Sequence, residues 1–425
     1  MTILPFDIIE KIIATIALEL DDLSFSTTKR CSVVCSEWLP VCRKHIFASI
    51  IVSPSASFLS LASDLRITLP TFHKRLITSP DIGHYVRDLK YIDSIRGSHL
   101  DDPVFIDVFT KLPRLQSFRV YAGQVEWNHI RSPFLQIFNI SPLSRLSIVG
   151  VENLIPADLA SCKSLEKLHL SCTTFSTSHS TSDISHIPLR IQHLSVEDWS
   201  VAEAVYLGVL RCMDGTAFLD FSRLTFLSIK ISSADMANSA RALLHICGHL
   251  ESLEIKTDIF GSKDQGAYDS LMLIILILMD DPYTEDGKDT FIPIHFSSLS
   301  TLKSLKSLAL ESLLYVNSDP YLFLTDELKN MANQNIIEKI LIKIHVMGGF
   351  DEYYFDAGTW EWGKLDEVFQ YPGWPNLRYI SLTIVTHNLY AGASLSYVED
   401  FQMLEKTHFP WLSSSKSVFF MFSVQ

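Results

Sequence analysis

The chain has 425 residues, 47% of them hydrophobic and 20% charged, a composition that builds a core and excludes a disordered protein. At roughly 100 to 200 residues per domain, its length implies several units or an extended repeat. A net charge of -13 with no dense cluster of Lys and Arg argues against nucleic acid as the main partner, because phosphate binding needs concentrated positive charge.

The N-terminus is expected to be helical. Proline is favoured in a first helical turn, so a helix beginning at Pro5 and running through IIEKIIATIALEL is predicted. Ile8, Ile9, Ile12, Ile13 and Ile16 fall at steps of one, three and four, a stripe two residues wide. A second helix fits Ser26 to Trp38, capped by Ser26 or Thr27, with Cys31, Val34, Cys35 and Trp38 on one face and Pro40 ending it. A third fits Val41 to Phe47. Three helices this short bury too little to be stable alone, so an apolar face must meet the rest of the chain or another protein.

These residues carry a resemblance. Leu4-Pro5, Ile8, Ile12, Leu20, Asp22-Leu23 and Val33-Val34-Cys35-x-x-Trp38 resemble, in order and type, an F-box of the kind found in large fungal families, over about residues 3 to 50. The resemblance implies docking on a Skp-type adaptor and, through it, a cullin-based ubiquitin ligase. By the same resemblance Leu4, Pro5, Ile8, Ile12, Leu20, Val34, Cys35 and Trp38 make or support the adaptor contact. An apolar helical face with anchors at i, i+3 and i+4 is a standard recognition mode. The alternative is that these residues are the core of a small helical cap.

From about residue 86 a six-residue phrase recurs, apolar-x-x-apolar-x-apolar. Its first residues are Val86, Leu115, Leu143, Leu165, Ile191, Leu224, Leu250, Leu305, Ile337 and Leu377, at steps of 29, 28, 22, 26, 33, 26, 55, 32 and 40. At Val86 the third apolar residue is Ile92, one place late. The alternation within each phrase predicts a short strand. Helices are expected between phrases, over Pro103 to Lys111, Ala202 to Cys212, Ala234 to Cys247, Gln265 to Met279 and Thr325 to Gln334. A period of 20 to 29 with insertions resembles leucine-rich repeats, which implies an irregular α/β solenoid. The family's polar turn position is uneven here, holding Thr173, Ser232 or Asp258 in some repeats and Val151, Trp199 or Leu313 in others. The step of 55 suggests a strand lost or disguised, and the phrases at 86 and 377 are the weakest.

The expected organisation is therefore an α/β chain: an F-box module over 1–52, a helical linker or cap over 53–84, and a leucine-rich-repeat-like solenoid over 85–425 with insertions at 171–186, 280–290 and 348–367. The first insertion is small and polar and the second acidic, as in solvated loops. The third mixes Tyr353, Tyr354, Trp360 and Trp362 with acids. Exposed, these aromatics would be a client-binding hot spot; tucked inward, they would cover the last repeats.

Nothing in the chain reads as chemistry. It has no phosphate-binding glycine loop, nucleophile elbow or H-E-x-x-H helix, so no catalytic residue, cofactor or metal is expected. The C-x3-C-x6-C spacing of Cys31, Cys35 and Cys42 lacks the paired ligands of zinc sites. No membrane span is expected, since the longest apolar run, Leu271 to Met279, is about half of the roughly 20 residues required. Pro5, Asp7 and Glu10 stand where a secretion signal would carry positive charge. With seven scattered cysteines, the cytoplasm or nucleus is the expected compartment. The function these readings imply is the substrate-recognition subunit of a cullin-type (SCF) ubiquitin ligase; the runner-up is a repeat-based scaffold acting outside one.

Overall fold

The structure is a computed structural model that describes residues 5–18, 22–34, 36–54, 66–93, 102–140, 142–176, 188–212, 214–232, 234–257, 302–315, 325, 328–329, 331–332, 335–347, 362–370, 373–387 and 396–425. The chain divides into two compact units, Met1–Leu189 with Arg211–Phe218, and Arg190–Leu210 with Leu219–Gln425.

The first unit opens with α1 (Phe6–Leu18), α2 (Asp22–Cys31) and α3 (Trp38–Ile46). The second helix lies earlier than its spacing predicts. It ends at Cys31, Ser32 to Val34 form a turn, and Trp38 opens the next helix instead of closing this one. Pro40 sits in the first turn of α3, where its missing N–H leaves no bond unmade, so it is a helix starter and not a terminator. Ile9 and Ile13 of α1 pack with Val41, Cys42 and Ile46 of α3, and Cys31, Trp38 and Phe47 close over this small core.

The module runs directly into a sheet. The Ala48 carbonyl accepts hydrogen bonds from the N–H groups of Arg87 and Asp88, both at 2.9 Å, and β1 (Ser49–Ser53) follows. Strand β1 lies between β2 (Arg66–Thr68) and β3 (Asp88–Asp93), parallel to both, with α4 (Leu69–Thr78) between β2 and β3 in the chain. The sheet thus begins inside the first 52 residues, and 53–84 contributes a strand as well as helix. Beyond β3 come α5 (Pro103–Thr110), β4 (Ser117–Glu126), α6 (Trp127–Ile140), β5 (Arg145–Glu152), α7 (Pro156–Leu159) and β6 (Lys167–Ser171), each strand parallel to the one before.

Every phrase in this unit supplies two inward side chains in register. Leu89, Phe118, Leu146 and Leu168 align, and two residues on Tyr91, Val120, Ile148 and Leu170 align; all are buried. The third apolar position of the phrase at 86 is therefore Tyr91, and Ile92 faces the other way. Beneath these strands Phe105 stacks edge-on to Tyr91 at 4.8 Å, Phe109 meets Phe118 at 4.9 Å, and Phe134 meets Trp127 at 5.3 Å. Buried Asp158 on α7 accepts from Trp127 Nε1 at 2.7 Å and from Arg131 Nε and Nη2 at 2.8 and 3.0 Å, tying α6 to α7. A bulge in β4 between Tyr121 and Val125 sits opposite Gly150. Gly150 has φ +74°, and a Cβ there would collide with the Ala122 carbonyl oxygen, so glycine is required. Of the uneven turn positions, buried Thr173 lies 3.2 Å from the Ile148 carbonyl and 3.0 Å from its own neighbour Ser171. Val151 is buried, Trp199 exposed, and no continuous polar ladder joins them; Asp258 lies outside the described residues.

The second unit contains β7 (His193–Glu197), α8 (Ser200–Val209), β8 (Phe226–Ile231), α9 (Ala234–Ile246), β9 (Ser252–Thr257), β10 (Ser307–Tyr315), β11 (Lys339–Met347), α10 (Gly363–Gln370), β12 (Tyr379–His387), α11 (Ser396–His408), α12 (Pro410–Ser414) and β13 (Phe419–Val424). These strands also pair in parallel and in chain order. Leu194, Leu227, Leu253, Leu308, Ile340 and Ile380 align inward. The phrase at 377 forms β12, as that at 86 forms β3. Strand β9 pairs directly with β10, so the step of 55 hides no strand between them in the sheet. The helix expected over Gln265 to Met279, the insertion at 280–290 and most of the polar insertion at 171–186 lie outside the described residues.

Candidate functional site

On the N-terminal module, the apolar residues of α1 have different fates. Ile9 and Ile13 are buried, whereas Phe6, Ile8 and Ile12 are 53%, 41% and 50% exposed. Pro5 is exposed just ahead of them. In the turn after α2, Val33 and Val34 are exposed at 83% and 65%. Trp38 is half-buried against the module's core, so it supports the module from within. Leu4, Leu20 and Cys35 lie outside the described residues.

The outward positions of the strands form a second surface in each unit. In the first unit Asp88, Ser117, Arg145 and Lys167 align across four strands, and the next outward row is Lys90, Arg119, Ser147 and His169. Arg145 and Lys167 are exposed, while Lys90, Arg119 and Tyr121 are half-buried. Arg119 pairs with Asp88 at 2.5 Å, and this bond comes first among the causes that raise the guanidinium above its usual value, ahead of the opposing effect of burial. Lys90 Nζ stands 4.3 Å above the Tyr121 ring, a geometry that favours the cation. Acids return at the C-terminal end of these strands, where Glu126 aligns with Glu152.

In the second unit the corresponding rows are self-paired. Lys256 meets Glu254 at 3.1 Å, Lys343 meets Glu311 at 2.8 Å, and buried His345 meets Glu311 at 2.9 Å. Ser228 Oγ donates to Glu254 at 2.8 Å. Burial pushes the Glu311 carboxyl up, but the hydrogen bonds from Lys343 and His345 and the charges of Lys343 and Lys256 outweigh it, leaving the group below its ordinary value.

Trp362 corrects the sequence reading. It is fully buried, packed edge-on at 6.2 Å from Phe401 and 6.4 Å from Phe409, so it is not available to a client. An indole at the start of α10 removes more apolar area from water by covering the last repeat than by standing in solvent. Tyr353, Tyr354 and Trp360 lie outside the described residues. Burial pushes the Cys162 and Cys247 thiols up to about 12, away from the reactive thiolate. Among the described residues no group of three or more His, Cys, Asp or Glu is arranged to hold a metal ion, and no helix is long and apolar enough to cross a membrane.

The fold defines a mixed α/β chain in which a small helical module leads into parallel strand-and-helix repeats, with an outward apolar helical face and open sheet faces as its candidate docking surfaces. No protein-family model matches the chain, and no curated protein matches it by sequence. Solved structures do align. One, described as the crystal structure of a TLR13–ssRNA13 complex, covers 90% of this chain and 65% of its own at 13% identity and a TM-score of 0.27; this chain thus spans about two thirds of that chain's length.

Proposed function

We propose that the chain is the substrate-recognition subunit of a cullin-type (SCF) ubiquitin ligase, its N-terminal module docking on a Skp-type adaptor and its repeats holding a protein client. The observation that carries this reading is the surplus apolar face of α1. Ile9 and Ile13 already fill the module's core, so Ile8 and Ile12, one turn apart beside that buried stripe, and Phe6 on its other flank, stand exposed without serving the core, as the anchors of a docking helix do. Together with Pro5 and Val34, and with Leu4, Leu20 and Cys35 carried over from the F-box pattern, they form the adaptor contact, while Trp38 braces it. The chain performs no covalent step; it contributes proximity and orientation for a ubiquitin-charged enzyme supplied by other subunits. Such a ligase operates in the cytoplasm or nucleus.

The test is capture of a purified Skp-type adaptor by the full chain and by an Ile8→Asp/Ile12→Asp variant. Capture by the parent with a loss of about 100-fold in the variant is expected, because two centrally placed apolar anchors are worth about 1 to 2 kcal/mol each. Unchanged circular dichroism would confine the effect to the surface. If the intact chain captures no adaptor, the ligase reading fails and a repeat scaffold acting outside a ubiquitin ligase takes its place.

A further inference from the structure

The two sheet faces are chemically unlike, and the difference names a class of client. On the first unit four cations, Lys90, Arg119, Arg145 and Lys167, occupy two adjacent outward rows of β3 to β6. Asp88 is the acid aligned with them, and it is bound to Arg119. The exposed positive charge of Arg145 and Lys167 on this face arises in a chain whose net charge is -13, so it is not a reflection of composition. The platform under it is stiff: Phe118 and Tyr91 alternate with Arg119 and Lys90 along the strands and are fully buried. Lys90 is held over Tyr121, which places its charge above the sheet and not along it.

We propose that this face of the first unit docks an acidic peptide segment of the client. The proposal rests on the reading of the chain as a client receptor and specifies where the client lies and what charge it carries. Four strands about 4.8 Å apart span roughly 14 Å, enough to run alongside about four residues of an extended chain. Each exposed ion pair is weak, but the exposed Arg145 and Lys167 on neighbouring strands, with Lys90 and Arg119 in the next row and Arg119 already bound to Asp88, add attraction for aspartate or glutamate side chains and speed encounter. A peptide fits better than nucleic acid, because the strip is short, ends at Glu126 and Glu152, and belongs to an acidic protein that repels a long polyanion.

The experiment is fluorescence anisotropy of a labelled oligoglutamate peptide with the full chain, alongside labelled oligothymidylate and oligolysine. Oligoglutamate should bind in preference to both probes and weaken with added salt. Arg145→Glu with Lys167→Glu should cut its affinity at least about tenfold. Lys256→Glu with Lys339→Glu in the second unit makes the same change in net charge and should alter affinity less than about twofold. The neutral pair Arg145→Gln/Lys167→Gln, which disturbs the fold least, should fall between parent and reversal. No binding of oligoglutamate, tighter binding of oligothymidylate, or equal losses from the two reversed pairs would overturn the proposal. Adaptor capture measured on the same preparations separates this failure from that of the ligase reading, since the module's apolar face and this basic face share no residue.

Discussion

In the first unit Lys90, Arg119, Arg145 and Lys167 share the open sheet face with Asp88, whereas in the second Lys256 and Lys343 stand beside Glu254 and Glu311 and bond to them. The inward sides hold both rings and aliphatic side chains. Tyr91, Phe118, Phe105, Phe109, Phe134 and Trp127 make an aromatic layer in the first unit beside Leu89, Leu146 and Leu168, and in the second Trp362, Phe401 and Phe409 cluster near its end while Leu194, Leu227, Leu253, Leu308, Ile340 and Ile380 make an aliphatic row. The same strand-and-helix phrase tolerates both, because parallel pairing fixes only which residues point inward. Outward residues are then free to stabilise the fold by pairing with one another, as in the second unit, or to stand exposed, as Arg145 and Lys167 do in the first.

The largest expected effects break the inward half of this comparison. Phe118→Ala removes a ring that touches Phe105, Phe109 and Phe134 and should cost about 3 to 5 kcal/mol, measured by guanidinium unfolding. A loss below about 1 kcal/mol would mean that the aromatic layer is loosely packed. Next comes Asp158→Asn, which keeps the shape but removes the charge that holds Arg131 and the Trp127 indole; about 2 kcal/mol is expected. Arg131→Met should cost less, about 1 kcal/mol, because the Arg131 side chain is 42% exposed and its charge is partly screened. Equal losses from the two would show that the Trp127 bond adds nothing.

The strands were legible in the sequence because their signal is repeated burial: each phrase predicts two inward residues, and Leu115, Leu146, Leu253 and Leu377 are all buried. Val86 opened a strand whose third inward residue is an aromatic, which hid the phrase behind Ile92. Strands β1, β2 and β13 escaped because SIIVS, RIT and FFMFSV lack the spaced leucines. The second helix was misplaced because cysteine, valine and tryptophan at helical spacing looked like one face, while local turn geometry at Ser32 to Val34 decided otherwise. The charged rows were invisible: Lys90, Arg119, Arg145 and Lys167 are 77 residues apart end to end, and only the register of four parallel strands brings them side by side. Trp362 illustrates the opposite limit, since an aromatic among acids reads alike whether it faces water or core.

The smallest effects test the outward half. Glu311 lies between Lys343 at 2.8 Å and His345 at 2.9 Å, and although burial raises its carboxyl, these partners and Lys256 leave it below the ordinary 4.5. A carboxylate held low in the folded chain binds its proton less readily there than when unfolded. Its stabilisation is therefore complete above the unfolded value and is lost as pH falls through the lowered folded value. Glu311→Gln should cost about 1 kcal/mol at neutral pH, and the gap to the parent should close as the pH drops from about 5 toward 3. Arg145→Gln on the first unit breaks no hydrogen bond of this kind and should stay within about 0.5 kcal/mol of the parent throughout. Thermal unfolding of the three proteins across that range decides the matter. A Glu311→Gln gap that persists unchanged at pH 3 would trace the loss to shape and not to charge, and the second unit's face would then be no more self-neutralised than the first.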